Sequence, residues 1–438
     1  MEKIIVWFRN DLRLHDNEAL FKALQKSSQL IPLYCFDPRQ FEMTELGFPK
    51  TGSFRAKFLI ESVADLKHNL QKIGSNLLIR IGKPEEIIPE IQKLVGAKAV
   101  YASKEVTSEE INVENKLEEQ LFKVGCKLNL YWQSTLYHLD DLPFPIKMLP
   151  DIYTDFRKEV ERGVKVRKQF PAPERMSFPK LDIELGEEPT LGELGLEEIM
   201  QDERSVLIFK GGETEGKKRL KHYFWEKDLL RLYKETRNGL IGADYSSKFS
   251  AWLALGCLSP RYIYDEVKRY EQERVKNDST YWLIFELIWR DYFRFVAKKY
   301  GNRLFQYGGI RNQNIALKND RRLFEQWKEG KTGLAFIDAN MKELKNTGFM
   351  SNRGRQNVAS YLVKDLKVNW QWGASWFESQ LIDYDVCSNW GNWNYVAGIG
   401  NDPRENRYFN ISSQAQKYDP KGEYVKLWLE KEMDLVLL

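Results

Sequence analysis

The sequence predicts an α/β N-terminal domain, a parallel sheet with helices on both faces, followed by a mostly α-helical C-terminal domain. Three observations predict it. Five short apolar runs in the first 133 residues alternate with stretches of helical spacing, the rhythm of a parallel sheet. From about residue 203 onward the pattern is helical and aromatic-rich, and strand signals are scarce. A length of 438 residues also exceeds one typical core. The expected division is 1–133 for the α/β domain, 134–202 for a connector and 203–438 for the helical domain.

In order along the chain, IIVWF (4–8), LIPLYCF (30–36), LLIRIG (77–82), AVYASK (99–104) and LNLYWQ (128–133) read as buried strands, with helices over 54–73 and 108–125. Ligands in such sheets bind beyond the carboxyl ends of strands, and here those ends carry Arg9, Asn10, Asp37, Pro38 and Glu105. Residues 138–200 change character. Pro143, Pro145, Pro150, Pro171, Pro173, Pro179 and Pro189 break any long helix, and acidic residues dominate 182–198. This predicts a long surface connector with one short helix near 151–164. No 20–50-residue period repeats, so a solenoid is excluded.

Composition, 42% hydrophobic and 30% charged, is that of a globular chain. No apolar run approaches the length needed to span a bilayer, so no membrane partner is expected. The start, MEKIIVWFRNDLRLHD, has a five-residue apolar run followed by charges and does not read as a signal peptide, so a cytoplasmic location is expected. Net charge of +4 permits a local nucleic-acid patch without demanding one. Cys35, Cys126, Cys257 and Cys387 are far apart, and none of the four histidines is near a cysteine cluster. Neither a disulfide framework nor a metal site is expected.

Two stretches imitate a phosphate loop and fail. In GGETEGKK (211–218) Lys218 stands where a Ser or Thr should bind Mg²⁺, and before Gly330-Lys331-Thr332 the first glycine position holds Glu325. Gly211 and Gly212 are expected to precede a helix, with Thr214 a candidate cap. No G-x-G-x-x-G follows the first strand.

Four blocks hold. DYSSKFSAWL (244–253) is a hydroxyl-rich turn opening a helix, suited to a pyrophosphate or, more blandly, to capping. ELIWRDYFR (286–294) is a helix with aromatic flanks on which Glu286 and Arg290, four apart, can pair. In TGFMSNRGRQNVAS (347–360), Arg353 and Arg355 flank Gly354, which permits close approach of another backbone or a ligand. The fourth block crowds Trp370, Trp372, Trp376, Trp390 and Trp393 around LIDYDVCSNWGNWNYVAGIGNDP (381–403) with Asp383, Asp385 and Asn389. Indole is large and its N–H wants a partner when buried, so this cluster suggests a planar aromatic ligand, electron traffic or both, against a Trp-rich core.

Together with WFRNDLRLHDNEAL, these blocks resemble the photolyase/cryptochrome family over nearly the whole chain, and the last two most resemble its DASH-type cryptochromes. The resemblance implies that the C-terminal domain holds FAD. Tyr233, Ser246, Ser247, Lys248, Phe249 and Ser250 match its phosphate-side contacts. Arg290, Asn352, Arg355, Asp383, Asp385 and Asn389 match the flavin and ribitol side, with Asp383 able to pair with Arg355 and the Asn389 amide facing flavin N5. The implied activity is light-driven repair of cyclobutane pyrimidine dimers by an electron from reduced FAD. In that activity Glu286 matches the carboxylate on the dimer, Trp289 a stacking wall and Arg353 a DNA-facing cation. Tyr395 and Gln356 stand where duplex-repairing members have Trp and Met, which implies a preference for single-stranded or locally melted DNA. SNRGR carries no histidine, so (6-4) repair is not expected.

The resemblance also implies a 5,10-methenyltetrahydrofolate antenna at Glu105, with Cys35 and Asp37 nearby, and a photoreduction relay through Trp393 and Trp370. Leu317 stands where the relay's surface tryptophan is usual, leaving Tyr307 or Trp372 as substitutes and Trp372, Trp376 and Trp390 otherwise as packing. A monomer is expected. The alternative function is a blue-light photoreceptor. Such members often carry a long tail, and none follows the last helical stretch before Leu438, which favours the enzyme.

Overall fold

The computed structural model describes residues 2–404 and 407–436. Five strands, β1 (Lys3–Phe8), β2 (Gln29–Phe36), β3 (Leu78–Ile81), β4 (Ala99–Ser103) and β5 (Lys127–Tyr131), form one sheet in the order β3-β2-β1-β4-β5. Every pairing is parallel, with Ile5 opposite Ile31 on one side and Val100 on the other. The strands are near-continuous apolar runs because both faces are covered. Four helices cover them: α1 (Glu18–Lys26), α2 (Ser53–Lys72), α3 (Pro84–Val95) and α4 (Ser108–Lys123). The sequence reading did not name α1 and α3, although α3 has Pro84 at its first position and Gly96, at φ 68°, closing it.

The connector carries a short helix, α5 (Tyr153–Gly163), as expected. The rest is helical: α6 (Glu213–Lys221), α7 (Tyr233–Thr236), α8 (Ser250–Ala254), α9 (Pro260–Glu273), α10 (Asp278–Tyr300), α11 (Arg321–Lys328), α12 (Ala335–Thr347), α13 (Asn352–Ser360), α14 (Trp370–Gln380), α15 (Val386–Ala397), α16 (Ile411–Tyr418) and α17 (Glu423–Val436). Among the described residues no strand follows β5, and no helix is long and apolar enough to cross a membrane. The four cysteines are free and buried.

One expectation fails at α6. Gly212 occupies its cap, and Thr214 lies inside the first turn, where its N–H donates to Asp65 at 3.0 Å. The glycines serve packing: a Cβ on Gly211 would lie 2.3 Å from the Phe58 carbonyl, so α2 and the start of α6 meet only because that side chain is absent.

The two domains share one hydrophobic core and a buried polar seam. Glu213 accepts from the Leu14 N–H at 2.6 Å and meets His15 Nδ1 at 2.7 Å and Lys217 Nζ at 2.5 Å. Asp16 takes the Arg261 guanidinium at 2.6 and 2.9 Å. Asp291 of α10 accepts from the backbone N–H groups of Leu136 and Tyr137 at 2.9 and 2.8 Å.

Candidate functional site

A cavity of about 500 Å³ opens among α7, α8, α10, α13 and α15, within the range of cofactor pockets. An adjoining inner cavity of about 130 Å³ is bounded by α13, α14 and α15.

The phosphate-side block lies on one wall. Tyr233, Ser246, Ser247, Lys248, Phe249 and Ser250 all line the larger cavity. The serines are not caps: Phe249 takes the cap position of α8 and makes no side-chain capping bond. Lys248 adopts φ 58° and is buried, and its ammonium lies 3.2 Å from the Tyr245 ring centroid. Burial, reinforced by the Arg219 charge, pushes its pKa well down, and an anion bound beside it would favour its charged form. Arg219 of α6 braces the turn, donating to the carbonyls of Ala243, Ser246 and Ser247 at 2.9, 3.0 and 3.1 Å and to Asp244 at 2.7 Å. No local spacing marked Arg219, because its partners lie about 25 residues away.

The opposite wall carries the second set. Asp383 accepts from Arg355 Nη2 at 2.9 Å, as expected, and its other carboxylate oxygen is buried without a partner. The Tyr245 hydroxyl is likewise buried and unpartnered. Asp385 caps α15 by accepting from the Ser388 N–H at 2.8 Å and lies 3.8 Å from Arg290. Burial would raise its pKa, but Arg290 and Arg294 hold it below the ordinary carboxylate value. Arg290 also donates to the carbonyls of Ser134 and Leu253. Asn352 borders both cavities, and Asn389 borders the inner one while donating to the Ala374 carbonyl at 3.0 Å. These residues fit FAD. The hydroxyl-rich turn with its buried lysine suits a pyrophosphate, and the free oxygen of Asp383 suits a donor on the isoalloxazine or ribitol side.

Glu286, Trp289, Arg353, Gln356 and Tyr395 line the same cavity, and Gln356 borders the inner one as well. Glu286 does not pair with Arg290. Arg290 is spent on backbone carbonyls, and Glu286 instead meets Arg237 at 2.8 Å. Burial raises the Glu286 pKa, and the Arg237 charge opposes the rise. Trp289 is held from behind by Tyr153, stacked at 3.6 Å and 11°. Tyr395 stands perpendicular to Trp289 at 6.2 Å, its hydroxyl accepting from Arg407 at 2.7 Å. Arg353 donates to Gln356 and Asn238, each at 2.7 Å, and its guanidinium lies over Tyr418. Gly354 admits neither a backbone nor a ligand. A Cβ there would lie 2.0 Å from Asn340 Oδ1, so the glycine makes room for α12. Arg237 and Tyr153 escaped the sequence reading for the reason Arg219 did, each working through a distant partner, whereas Arg407 lies only 12 residues from Tyr395 and no motif marked it.

Trp393 borders the inner cavity, and Trp370 is fully buried with its indole donating to the Tyr307 carbonyl at 2.9 Å. Tyr307 holds the Leu317 segment, its hydroxyl accepting from the Leu317 N–H at 3.0 Å. Trp376 is buried, Trp372 is half-buried, and Trp390 packs its ring on Trp370 at 5.7 Å.

Glu105 is not a solvated strand end: it is 4% exposed and bonded to Arg294 of α10, with its second oxygen buried and unpartnered. Asp37 is taken by Arg39 at 2.6 Å, and the Cys35 thiol is buried, which pushes its pKa up. At the crevice beside β1, where strand order reverses, Arg9 pairs with Glu114 at 2.6 Å.

Comparison with known proteins accords with this architecture. Residues 4–174 match the family model described as DNA photolyase, and residues 282–435 match the FAD binding domain of DNA photolyase. A Cryptochrome DASH from Gloeobacter violaceus is 58% identical over 426 residues, covering 97% of this chain and 85% of that protein. One from Synechocystis is 57% identical over 434 residues, covering 99% and 88%. A crystal structure of a Synechocystis cryptochrome matches with a TM-score of 0.96 at 57% identity, covering 98% of this chain and 89% of that one. A bacterial class III photolyase from Agrobacterium tumefaciens matches at 0.84 and 26% identity, covering 98% and 86%. With its α/β domain, its FAD-binding helical domain and identity to DASH proteins along nearly its whole length, the chain belongs to the photolyase/cryptochrome family, in its DASH branch.

Proposed function

We propose that the protein repairs cyclobutane pyrimidine dimers under blue light, preferring single-stranded or locally melted DNA. The observation that carries this reading is the convergence of both residue sets on one cavity, which Asn352, Arg355, Gln356, Asp383 and Asp385 share with the adjoining inner one. When bound, reduced FAD supplies a photoexcited electron donor for splitting the cyclobutane ring.

The chain's own residues do the rest. Ser246, Ser247 and Lys248 hold the pyrophosphate, and Arg355, Asp383, Asp385, Arg290, Asn352 and Asn389 orient the ring. Arg237 keeps Glu286 available as an anion that accepts from a ring N–H of the dimer. Trp289, stiffened by Tyr153, offers a face for stacking and excludes water from one side. At right angles beside it, Tyr395 presents a smaller ring already engaged by Arg407. Stacking contributes roughly 1–3 kcal/mol per base. Extruding a paired lesion costs a few kcal/mol. A weaker second wall therefore leaves duplex lesions underbound, while single strands avoid the cost. For the antenna, the free buried oxygen of Glu105 supports a folate nearby, and the positions of Cys35 and Asp37 add little to it.

The test is repair of matched single- and double-stranded thymine-dimer oligonucleotides under blue light. Faster repair of the single strand is expected. Equal rates would refute the strand preference. Repair of neither, with normal flavin photoreduction, would replace the enzyme with a photoreceptor.

A further inference from the structure

Leu317 offers no redox-active ring at the outer end of a tryptophan relay, so electrons drawn inward through Trp393 and Trp370 must enter elsewhere. Among the described residues, ring contacts lead from this pair to two other tryptophans of the cluster. One route passes from Trp393 to Trp327 at 6.3 Å, to Phe324 at 6.0 Å and to Trp372 at 5.5 Å. It is interrupted by a phenyl ring, and the Trp327 indole donates to the Val358 carbonyl, which cannot take a proton. The other is a single step from Trp370 to half-buried Trp390, ring to ring at 5.7 Å and 79°. The Trp390 N–H lies 3.3 Å from Glu378 Oε2 and 3.3 Å from the Tyr384 hydroxyl. Of the five clustered tryptophans, only Trp390 donates to a carboxylate among the described residues.

We propose that Trp390 is the exit of the relay and that Glu378 is the base that takes its indole proton. This rests on the reading that the cavity holds FAD. The oxidant is the photoexcited oxidised flavin, reached through Trp393 and Trp370. One electron passes from Trp390 to Trp370. An indole that has lost an electron is far more acidic than the neutral ring, so its N–H proton moves to the Glu378 carboxylate beside it, leaving a neutral indolyl radical beside a neutral acid. A thiol in solution then transfers one hydrogen atom to the radical, becoming a thiyl radical, and Glu378 returns its proton to water. The net change is one electron from thiol to flavin and one proton released. Proton loss is what prevents the electron from returning.

The surroundings of Glu378 set a pH window. Glu378 is buried, which raises its pKa. Lys50 at 4.0 Å, Arg55 and the Tyr384 hydroxyl oppose the rise, and Glu109 adds to it. Arg55 lies over the Tyr384 ring at 4.3 Å and donates to the Glu378 carbonyl at 3.0 Å. Trapping is complete while Glu378 is ionised and fades as pH falls through its raised value.

The experiment is flash photolysis of the flavin-loaded full chain with oxidised flavin, following tryptophanyl radicals by transient absorption. In the unaltered protein a long-lived neutral radical is expected. Trp390→Phe should shorten the charge-separated state about tenfold or more with bound flavin unchanged, and adding Leu317→Trp to it should restore the lifetime. Glu378→Gln should keep electron transfer but slow proton loss about tenfold or more and remove its pH dependence. A Trp390→Phe decay identical to the unaltered protein, with the radical lost in Trp372→Phe instead, would overturn the proposal. So would unchanged proton loss in Glu378→Gln. Purified unaltered protein without flavin absorbance would overturn the cofactor reading itself, a failure visible before any flash.

Discussion

At the scale of single residues, the Glu286–Arg237 pair shows how a charge can be stored in a cavity wall. Replacing Glu286 with Gln removes a charged acceptor worth roughly 1.5–3 kcal/mol in a hydrogen bond. Dark binding of a dimer-containing single strand is therefore expected to weaken by about 10- to 100-fold, with flavin content unchanged, as read by fluorescence titration. Trp393→Phe acts on the other side of the cavity. It should abolish photoreduction of oxidised flavin while leaving repair by chemically prereduced protein intact, so the two rates are measured on one preparation. The sequence made Glu286 and Trp393 visible because each lies in a dense local block. Arg237, Arg219 and Tyr153 were invisible because a side chain's partner 25 or more residues away leaves no trace in spacing.

At the scale of elements, α13 carries Asn352 and Arg355 to the cavity, and its position depends on α12. Asn340 of α12 donates to the Phe336 carbonyl at 2.7 Å and accepts from Tyr424 at 3.2 Å, so it cannot swing away from Gly354. Gly354→Ala places a methyl group against it and is expected to cost about 1–3 kcal/mol. Thermal unfolding, followed by release of flavin fluorescence, should move down by several degrees. The strands were legible as short apolar runs between stretches of helical spacing, and of α10 only 286–294 was legible, through its dense aromatic block. The helix-to-helix contact at Gly354 was not: a glycine between two arginines fits a ligand approach and a packing contact equally well until the neighbour's position is known. The same limit explains the failed Glu286–Arg290 pairing, since four-residue spacing permits a contact but the carbonyls of Ser134 and Leu253 claim the guanidinium first.

For the whole molecule, the polar seam makes the joint between domains sensitive to acid. His15 is buried, which lowers its pKa, and it accepts from the Ser259 N–H at 3.3 Å. Burial would raise the pKa of Glu213, but His15 and Lys217 hold it down to about 2. Both shifts have the same sign for stability. A depressed histidine stabilises the folded state above its unfolded value near 6.5 and loses that contribution as pH falls. A depressed carboxylate contributes above its unfolded value and loses it as pH falls toward about 2. Stability in urea should therefore decline steadily from pH 7 to pH 3, and Glu213→Gln should flatten the lower part of that decline while reducing stability at pH 7.

Arg290 has a consequence for how the protein is made. Its guanidinium joins the Ser134 carbonyl, just past the first domain, to the Leu253 carbonyl of α8 and to Asp385 at the head of α15. The ribosome releases these three segments in that order, separated by more than a hundred residues each time. This wall of the cavity is thus completed late in synthesis, once Asp385 and α15 have followed the first domain and α8. Flavin capture becomes a late checkpoint in biogenesis. In refolding of the full chain with free FAD, quenching of flavin fluorescence is expected to lag behind the recovery of helix signal.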